Sequence, residues 1–101
     1  MTTSVWALEK IRAVQERGSD SLILNARAGA SLPEFPVEIL QLTHLRALFL
    51  TGHKIRQIPP EMAQLANLQE LSLSGNQLTA VPEAVLALPK LRTLNVRDNR
   101  L

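Results

Sequence analysis

Hydrophobic positions in the second half of the chain recur at a fixed interval. Leu45, Leu68 and Leu91 each open a segment with leucine or valine at its first, fourth and sixth positions, and these segments read LRALFL, LQELSL and LRTLNV. A second set of positions keeps the same spacing: the pairs at 58–59 and 81–82 are Ile-Pro and Val-Pro, followed by leucines at 65 and 88. A repeat of 23 residues predicts stacked coils, each of which buries its apolar face against its neighbour.

The N-terminal segment 1–18 follows a different period. Apolar residues at helical spacing form one stripe, made of Ala7, Leu8, Ile11 and Val14. Thr3 or Ser4 is suited to the N-cap, and Gly18 stands where a left-handed residue ends a helix. We therefore predict a helix over about 4–17 that covers the open N-terminal end of the stack, with Trp6 as part of that cover.

The coil at 19–44 is irregular. Its second half keeps the frame, because Phe35-Pro36 precedes Ile58-Pro59 by one full repeat, but its first half does not. If Leu22 and Leu24 occupy the inward strand positions, about three extra residues remain, and we place them in a bulged loop over 26–31. Two full coils, 45–67 and 68–90, and a half coil, 91–101, complete the chain.

Each coil is predicted to contain a short strand and a return segment. In the strand of the second coil Leu48 and Leu50 point inward and Phe49 points outward, since side chains alternate along a strand. The return segments begin at Pro36, Pro59 and Pro82. Proline fixes φ and suits the first turn of a short helix or 3₁₀ segment.

The segments 68–78 and 91–101 resemble the leucine-rich repeat signature LxxLxLxxNxL, and 81–90 resembles the 23-residue bacterial and Ras-signalling type of that family. The resemblance covers about residues 19–101. It implies an α/β solenoid: a right-handed superhelix with a concave parallel sheet of short strands, convex 3₁₀ or short helical segments, and an N-terminal capping helix over 1–18. It also implies protein binding on the concave side or along the edges.

Asn76 and Asn99 occupy the asparagine position of the signature. An amide there can pair backbone groups of adjacent coils that would otherwise be buried without partners. The preceding coil has His53 instead, and a neutral imidazole offers only one donor and one acceptor. We therefore expect this asparagine ladder to weaken toward the N-terminus and the stack to be less rigid there.

The outward strand positions are the candidate binding surface. The central column is predicted to consist of Ile23, Phe49, Ser72 and Asn95, with Ala47, Glu70 and Thr93 on one side and Asn25, Thr51, Ser74 and Arg97 on the other. Phe49 next to Ile23 is either an exposed interface anchor or covered by the N-terminal helix or an unseen neighbour. We select as candidate protein-binding residues Ile23, Asn25, Phe49, Thr51, Glu70, Ser72, Ser74, Asn95 and Arg97.

This face is small. Four strands about 4.8 Å apart, each exposing about three residues, present roughly 200 Å² in projection, whereas a standard interface buries about 800 Å² per partner. Binding is then weak, or the edges and the convex side also bind, or the array continues beyond Leu101. We favour a fragment of a longer protein, because Leu91, Leu94, Val96 and Leu101 would otherwise face an empty side. End-to-end self-association and a frayed terminus are the alternatives.

Composition narrows the function. The formal charge is +2 without a basic run, which argues against nucleic acid, and no cysteine is present, which favours a reducing compartment and a cytoplasmic location. The start lacks the pattern of a signal peptide, and no apolar run approaches membrane-spanning length.

No catalytic constellation is present, because His44 and His53 are the only histidines and no carboxylate pair lies beside them. His44 is interpreted as a solvated corner. We predict no cofactor, no metal site and no small-molecule substrate.

Our leading hypothesis is a non-enzymatic, cytoplasmic module that binds a protein or peptide on its concave face. The alternative is the recognition arm of a larger signalling enzyme, such as a Ras-like GTPase, a kinase or a ubiquitin ligase. A stop codon after Leu101 in the encoding reading frame would exclude the second hypothesis.

Overall fold

A parallel sheet of four short strands forms one side of the molecule. The computed structural model describes residues 3–27 and 29–101, and its strands are β1 (Ser21–Ile23), β2 (Ala47–Phe49), β3 (Glu70–Ser72) and β4 (Thr93–Asn95). They lie side by side in chain order, so each coil adds one strand next to the preceding one. Met1, Thr2 and Ala28, the last of them in the predicted bulged loop, lie outside the described residues.

The strand register agrees with an insertion in the first coil. Leu22 pairs with Leu48, and Leu48 pairs with Leu71, so the first of these two steps along the chain is longer by three positions. The extra residues fall in the loop after β1, where the backbones of Arg27 and Ala30 exchange hydrogen bonds of 3.2 and 2.9 Å. This irregular coil therefore keeps its leucines in the rows of the regular ones.

The return segments form the opposite, convex side. They are two 3₁₀ segments, Val37–Gln41 and Pro60–Gln64, and a single α-helical turn, α2 (Glu83–Leu86). Each follows a proline with extended backbone geometry, Pro36, Pro59 or Pro82, which agrees with the sequence-based interpretation. Successive segments pack against one another, Val37–Gln41 on Pro60–Gln64 and the latter on α2.

The core lies between the two sides and consists of aliphatic rows. Leu48, Leu50, Leu71 and Leu73 of the two inner strands are fully buried. Burying such a side chain contributes about 1.5–3 kcal/mol, and here every row is completed by the next coil. The matching residues of the last coil, Leu94 and Val96, are only half-buried. The stack is therefore most tightly packed in its middle coils.

A helix precedes the sheet. This helix, α1 (Val5–Arg17), buries Ala7 and Ile11, packs against β1 and the first 3₁₀ segment, and ends at Gly18 with φ +65°. Ser4 occupies the N-cap position, but its side chain makes no capping hydrogen bond. The Thr3 hydroxyl instead donates to the Glu38 carboxylate on the first 3₁₀ segment. Side-chain bonding and core burial thus tie the helix region to the first coil.

Candidate functional site: the outer face of the sheet

The four residues predicted for the central column lie side by side on the outer face. The register pairs Ile23 with Phe49, Phe49 with Ser72 and Ser72 with Asn95. Their outward orientation follows from the strand period, because the neighbouring leucines at 22, 48 and 71 are buried in the core. The parallel sheet thus gathers residues that are far apart in the chain.

Exposure differs along the column. Ile23 is 58 % exposed, whereas Phe49 is half-buried, so its ring is neither freely exposed nor fully covered, the two alternatives that the sequence left open. In the described residues α1 packs against β1 and does not reach β2, so the helix is not what covers Phe49. The register partners of Phe49 on the adjacent strands, Ile23 and Ser72, flank the ring at the spacing of about 5 Å that is usual in a parallel sheet. The most accessible apolar group on the face is therefore Ile23, with Phe49 beside it.

Three hydroxyl groups form a cluster next to this apolar pair. The Ser72 hydroxyl lies 3.3 Å from the hydroxyls of both Thr51 and Ser74, and the latter two are 3.5 Å apart. Ser72 is only 7 % exposed, which corrects its selection as a contact residue: it lies in the predicted column but under its neighbours. Thr51 and Ser74, both half-buried, are the members that a ligand can reach.

The outer columns supply the charged and amide groups of the face. Glu70, Thr93 and Arg97 are exposed, while Ala47 is half-buried. The side-chain oxygens of Asn25 and Asn95 already accept a hydrogen bond within the chain. Each bond is 3.0 Å long, and the donors are the backbone N–H groups of Thr51 and Arg97, respectively. The face therefore combines an apolar strip on β1 and β2 with polar and charged groups on β3 and β4.

Below the face, an asparagine ladder links the coils. Asn76 donates from Nδ2 to the carbonyl oxygens of Leu50 (2.8 Å) and Leu73 (2.9 Å), and its Oδ1 accepts from the Ile55 N–H (3.2 Å). Asn99 repeats the pattern one coil later, with Leu73 and Leu78 as its partners in the adjacent coil. Each amide thereby pairs a carbonyl and an N–H of the preceding coil.

His53 makes the equivalent bonds in the second coil. Its Nδ1 accepts from the Leu32 N–H at 2.8 Å, and Nε2 donates to the Leu24 carbonyl, which fixes the neutral Nε2–H tautomer because a carbonyl can only accept. Burial lowers the pKa of His53 below its ordinary value of about 6.5, against the opposing effect of the hydrogen bond to Leu24. The imidazole thus replaces the bonds between coils, whereas the bonds that the asparagines make within their own coil have no counterpart among the described residues.

Trp6 stacks on this histidine. The two ring centroids are 6.1 Å apart at an interplanar angle of 26°, and the Arg27 guanidinium carbon lies 5.9 Å from the Trp6 ring centroid. The indole therefore joins α1, the loop after β1 and the second coil. This agrees with the interpretation of Trp6 as a packing residue.

A second row of side chains between coils was not recognised in the sequence. His44 donates from Nε2 to the Ser19 carbonyl (2.8 Å), Asn67 to the Thr43 carbonyl (3.0 Å), and Lys90 to the Asn67 side-chain oxygen (3.1 Å). His44 is half-buried, so its interpretation as a solvated corner was wrong. The repeat spacing of positions 44, 67 and 90 was visible, but three unlike residue types carry no common motif.

Within residues 3–27 and 29–101 no three histidine or carboxylate side chains are grouped so that they could hold a metal ion. No helix in that part of the chain combines the length and apolar character needed to cross a bilayer.

Comparison with known proteins points to one family. The family model described as "Leucine rich repeat" matches residues 43–101. No curated protein sequence matches the chain with significant similarity.

Solved structures with a similar fold include a leucine-rich repeat protein of Leptospira interrogans, with 46 % identity over 64 % of this chain and a TM-score of 0.60. An internalin of Listeria monocytogenes (25 % identity, 90 % of this chain) and the leucine-rich repeat domain of the type III effector XopL (29 %, 95 %) both have a TM-score of 0.72. The chain spans 17 %, 29 % and 33 % of these three structures, in that order.

Proposed function

The chain belongs to the leucine-rich repeat family, and we propose that it is a non-enzymatic interaction module that binds a protein or peptide on its concave face. The observation that carries the proposal is the apolar strip of Ile23 and Phe49, set beside the hydroxyl and amide groups of the next strands. An accessible apolar patch next to polar groups is typical of protein interfaces.

The energetic case rests on Ile23. Ile23 is 58 % exposed to water. A partner that covers this side chain removes apolar area from water and buries no polar group of the side chain. The adjacent Thr51 hydroxyl accepts from Ser74 at 3.5 Å and can itself donate to a partner carbonyl. Apolar burial would contribute affinity, and directional hydrogen bonds would fix the position of the partner on the face.

The area of the face limits the affinity of this contact. Because roughly 200 Å² in projection is well below the roughly 800 Å² of a standard interface, we infer that residues beside the strands also touch the partner. The exposed charged side chains next to the sheet are the available groups, and Arg97 at the end of β4 is one of them.

Ile23→Arg tests the proposal, with Val37→Arg as its matched control. The two side chains are almost equally exposed, 58 % and 57 %, but Val37 lies on the convex side. We expect proteins captured from the source cells by the wild-type chain to be retained by Val37→Arg and lost with Ile23→Arg, measured by quantitative mass spectrometry. Equal retention by both variants, or loss with Val37→Arg alone, contradicts binding on the concave face. Matching circular dichroism spectra would exclude misfolding as the cause.

The same proposal includes several features of the whole chain. We infer that α1 caps the N-terminal end of a right-handed stack and that the protein works in the cytoplasm without a cofactor. Self-association through the last coil is a second candidate, since Leu94 and Val96 in that coil are only half-buried. A molar mass that stays monomeric in light scattering across concentrations would exclude self-association.

A further inference from the structure

The fold separates charges that are mixed along the chain. The convex segments 33–43, 57–67 and 80–89 carry four glutamates and neither lysine nor arginine; the glutamates are Glu34, Glu38, Glu61 and Glu83. The sheet and its two flanks, 20–27, 44–56, 68–79 and 90–101, carry eight basic and three acidic residues, a net charge of +5. With −4 on the convex side and +1 on α1, these values account for the +2 of the whole chain.

All eight of these cations are exposed, and they lie in the segments before and after the strands. Before the strands, Arg46 and Arg92 occupy one column, with the backbone N–H of each bonded at 2.8 Å to the preceding coil. After the strands, Arg97 is the last member of the column that also contains Thr51 and Ser74. Lys54 and Arg100 share a further column beyond the asparagine ladder, with Gln77 between them. Arg27, Arg56 and Lys90 complete the set.

The spacing determines how these charges act. Neighbouring coils place equivalent residues about 5 Å apart and alternate coils about 10 Å apart, as for Arg46 and Arg92 or Lys54 and Arg100. Screening at physiological salt takes effect over about 8 Å, so each of these exposed cations acts mainly on a carboxylate placed next to it. The acidic convex side lies across the core, on the far side of the molecule from the outer face. The outer face thus has an apolar strip on β1 and β2 and an excess of positive charge along its flanks.

We propose that the natural ligand is an acidic peptide segment, with an apolar residue that covers Ile23 and Phe49 and carboxylates that pair with the flanking arginines and lysines. The inference rests on the proposed function and specifies its partner class. Electrostatic complementarity of this kind accelerates association and selects against basic partners.

A nucleic acid fits the same face less well. Nucleic-acid grooves track a phosphate chain with a continuous line of cations and aromatic stacking platforms. Here Asp20, Glu70 and Asp98, all exposed, interrupt the basic flanks. The accessible apolar group is the aliphatic Ile23, which offers no stacking surface. Discrete carboxylates on a peptide can avoid these three acids, whereas a regular phosphate backbone cannot.

Selection from a yeast-displayed library of random 12-residue peptides tests the proposal on the intact chain. We expect the selected peptides to be enriched in aspartate and glutamate around an apolar residue, and to bind more weakly as NaCl is raised. The triple variant Arg46→Gln, Arg92→Gln, Arg97→Gln should weaken their binding about tenfold, as expected for the loss of three exposed ion pairs.

The control triple variant Lys10→Gln, Arg12→Gln, Arg17→Gln changes the net charge equally on α1 and should leave binding unchanged. Selected peptides that require Ile23 but show no acidic bias would overturn this inference and leave the proposed function standing. A selection that yields no peptide dependent on Ile23 would contradict the proposed function itself. A labelled 12-nucleotide DNA strand that binds as tightly as the peptides, and is lost with the first triple variant, would also overturn the acidic-peptide assignment.

Discussion

At the scale of single residues, His53 links the second coil to the irregular first coil by two hydrogen bonds. Its ring bonds Leu32 and Leu24, 21 and 29 positions earlier, whereas Asn76 bonds groups 21 and 26 positions earlier. The extra three positions correspond to the insertion in the loop after β1. His53, with one donor and one acceptor, thus makes the same two links to a coil that is three residues longer.

This histidine predicts a pH dependence of stability. Because burial lowers the pKa of His53 in the folded chain below the value of about 6.5 in the unfolded chain, the unfolded state binds more protons as the medium becomes acidic. The His53 contribution is therefore complete above pH 6.5 and is lost as the pH falls from there toward the folded-state pKa. Protonation of Nδ1 also removes the acceptor for the Leu32 N–H. We expect urea-unfolding free energies to decline over this range.

His53→Asn provides the control, because an amide does not titrate there. The difference in unfolding free energy between wild type and this variant should change between pH 7.5 and pH 5.5 in favour of the variant. A constant difference would show that His53 does not titrate on unfolding. Trp6, the only tryptophan, stacks on His53 and reports the transition by fluorescence.

At the scale of secondary-structure elements, the sequence allowed most of the architecture to be predicted. Strand positions, the return segments after the prolines and the helix ending at Gly18 all follow from local rules of alternation, fixed φ and positive φ. The three-residue insertion followed from counting, since only that shift puts Leu22 and Leu24 in the buried rows. These features depend on local sequence or on equivalent residues in neighbouring coils, so they can be predicted from local sequence and from the repeat.

What could not be predicted depends on contacts between unlike residues in different coils. Exposed Ile23, half-buried Phe49 and almost fully buried Ser72 occupy one column. Periodicity assigns all three outward but cannot say how far the neighbouring side chains cover each one. The hydrogen bond of His44 to Ser19 was missed for the same reason. Thus the location of the candidate face was predictable, but the accessible residues on it were not.

The position of a strand in the stack should set the cost of truncating its central leucine. Leu71 is fully buried between coils on both sides, whereas Leu94, its register partner on β4, is half-buried. We expect Leu71→Ala to lower the unfolding free energy by about 2–5 kcal/mol, and Leu94→Ala to cost clearly less, because a partly exposed site leaves a smaller cavity. Thermal or urea melts of the two variants measure this. Equal losses would contradict the packing described for the inner coils.

At the scale of the whole molecule, the closely spaced mixture of charges in the sequence becomes a basic face and an acidic back. The sequence contains no basic run, although the folded chain brings its cations together on the flanks of the sheet. The coil period brings Arg46 and Arg92 into one column and places the glutamates at the start of the convex segments. Charge clustering in a repeat protein therefore has to be read by repeat position and not by distance along the chain.

The dimensions of the molecule constrain what this face can do. The described residues extend over 35 × 34 × 21 Å, and the four strands occupy only part of that surface. A peptide laid across the columns can contact the apolar strip of β1 and β2 and the basic flanks at once. A folded partner of ordinary interface size, about 800 Å² per side, would have to extend well beyond the strands. The small face therefore favours a short peptide segment as its ligand.

Recognition on the outer face of the sheet, around Ile23 and Phe49, is a proposal that can be tested residue by residue. The most direct measurement is a titration of the isotope-labelled 11.2 kDa protein with a selected peptide, followed by amide chemical shifts in nuclear magnetic resonance. We predict the largest shifts at Ile23, Phe49, Thr51, Ser74 and Arg97, with the convex segments Val37–Gln41 and Pro60–Gln64 unchanged. Shifts concentrated on those convex segments, with the strand residues unaffected, would contradict the claim.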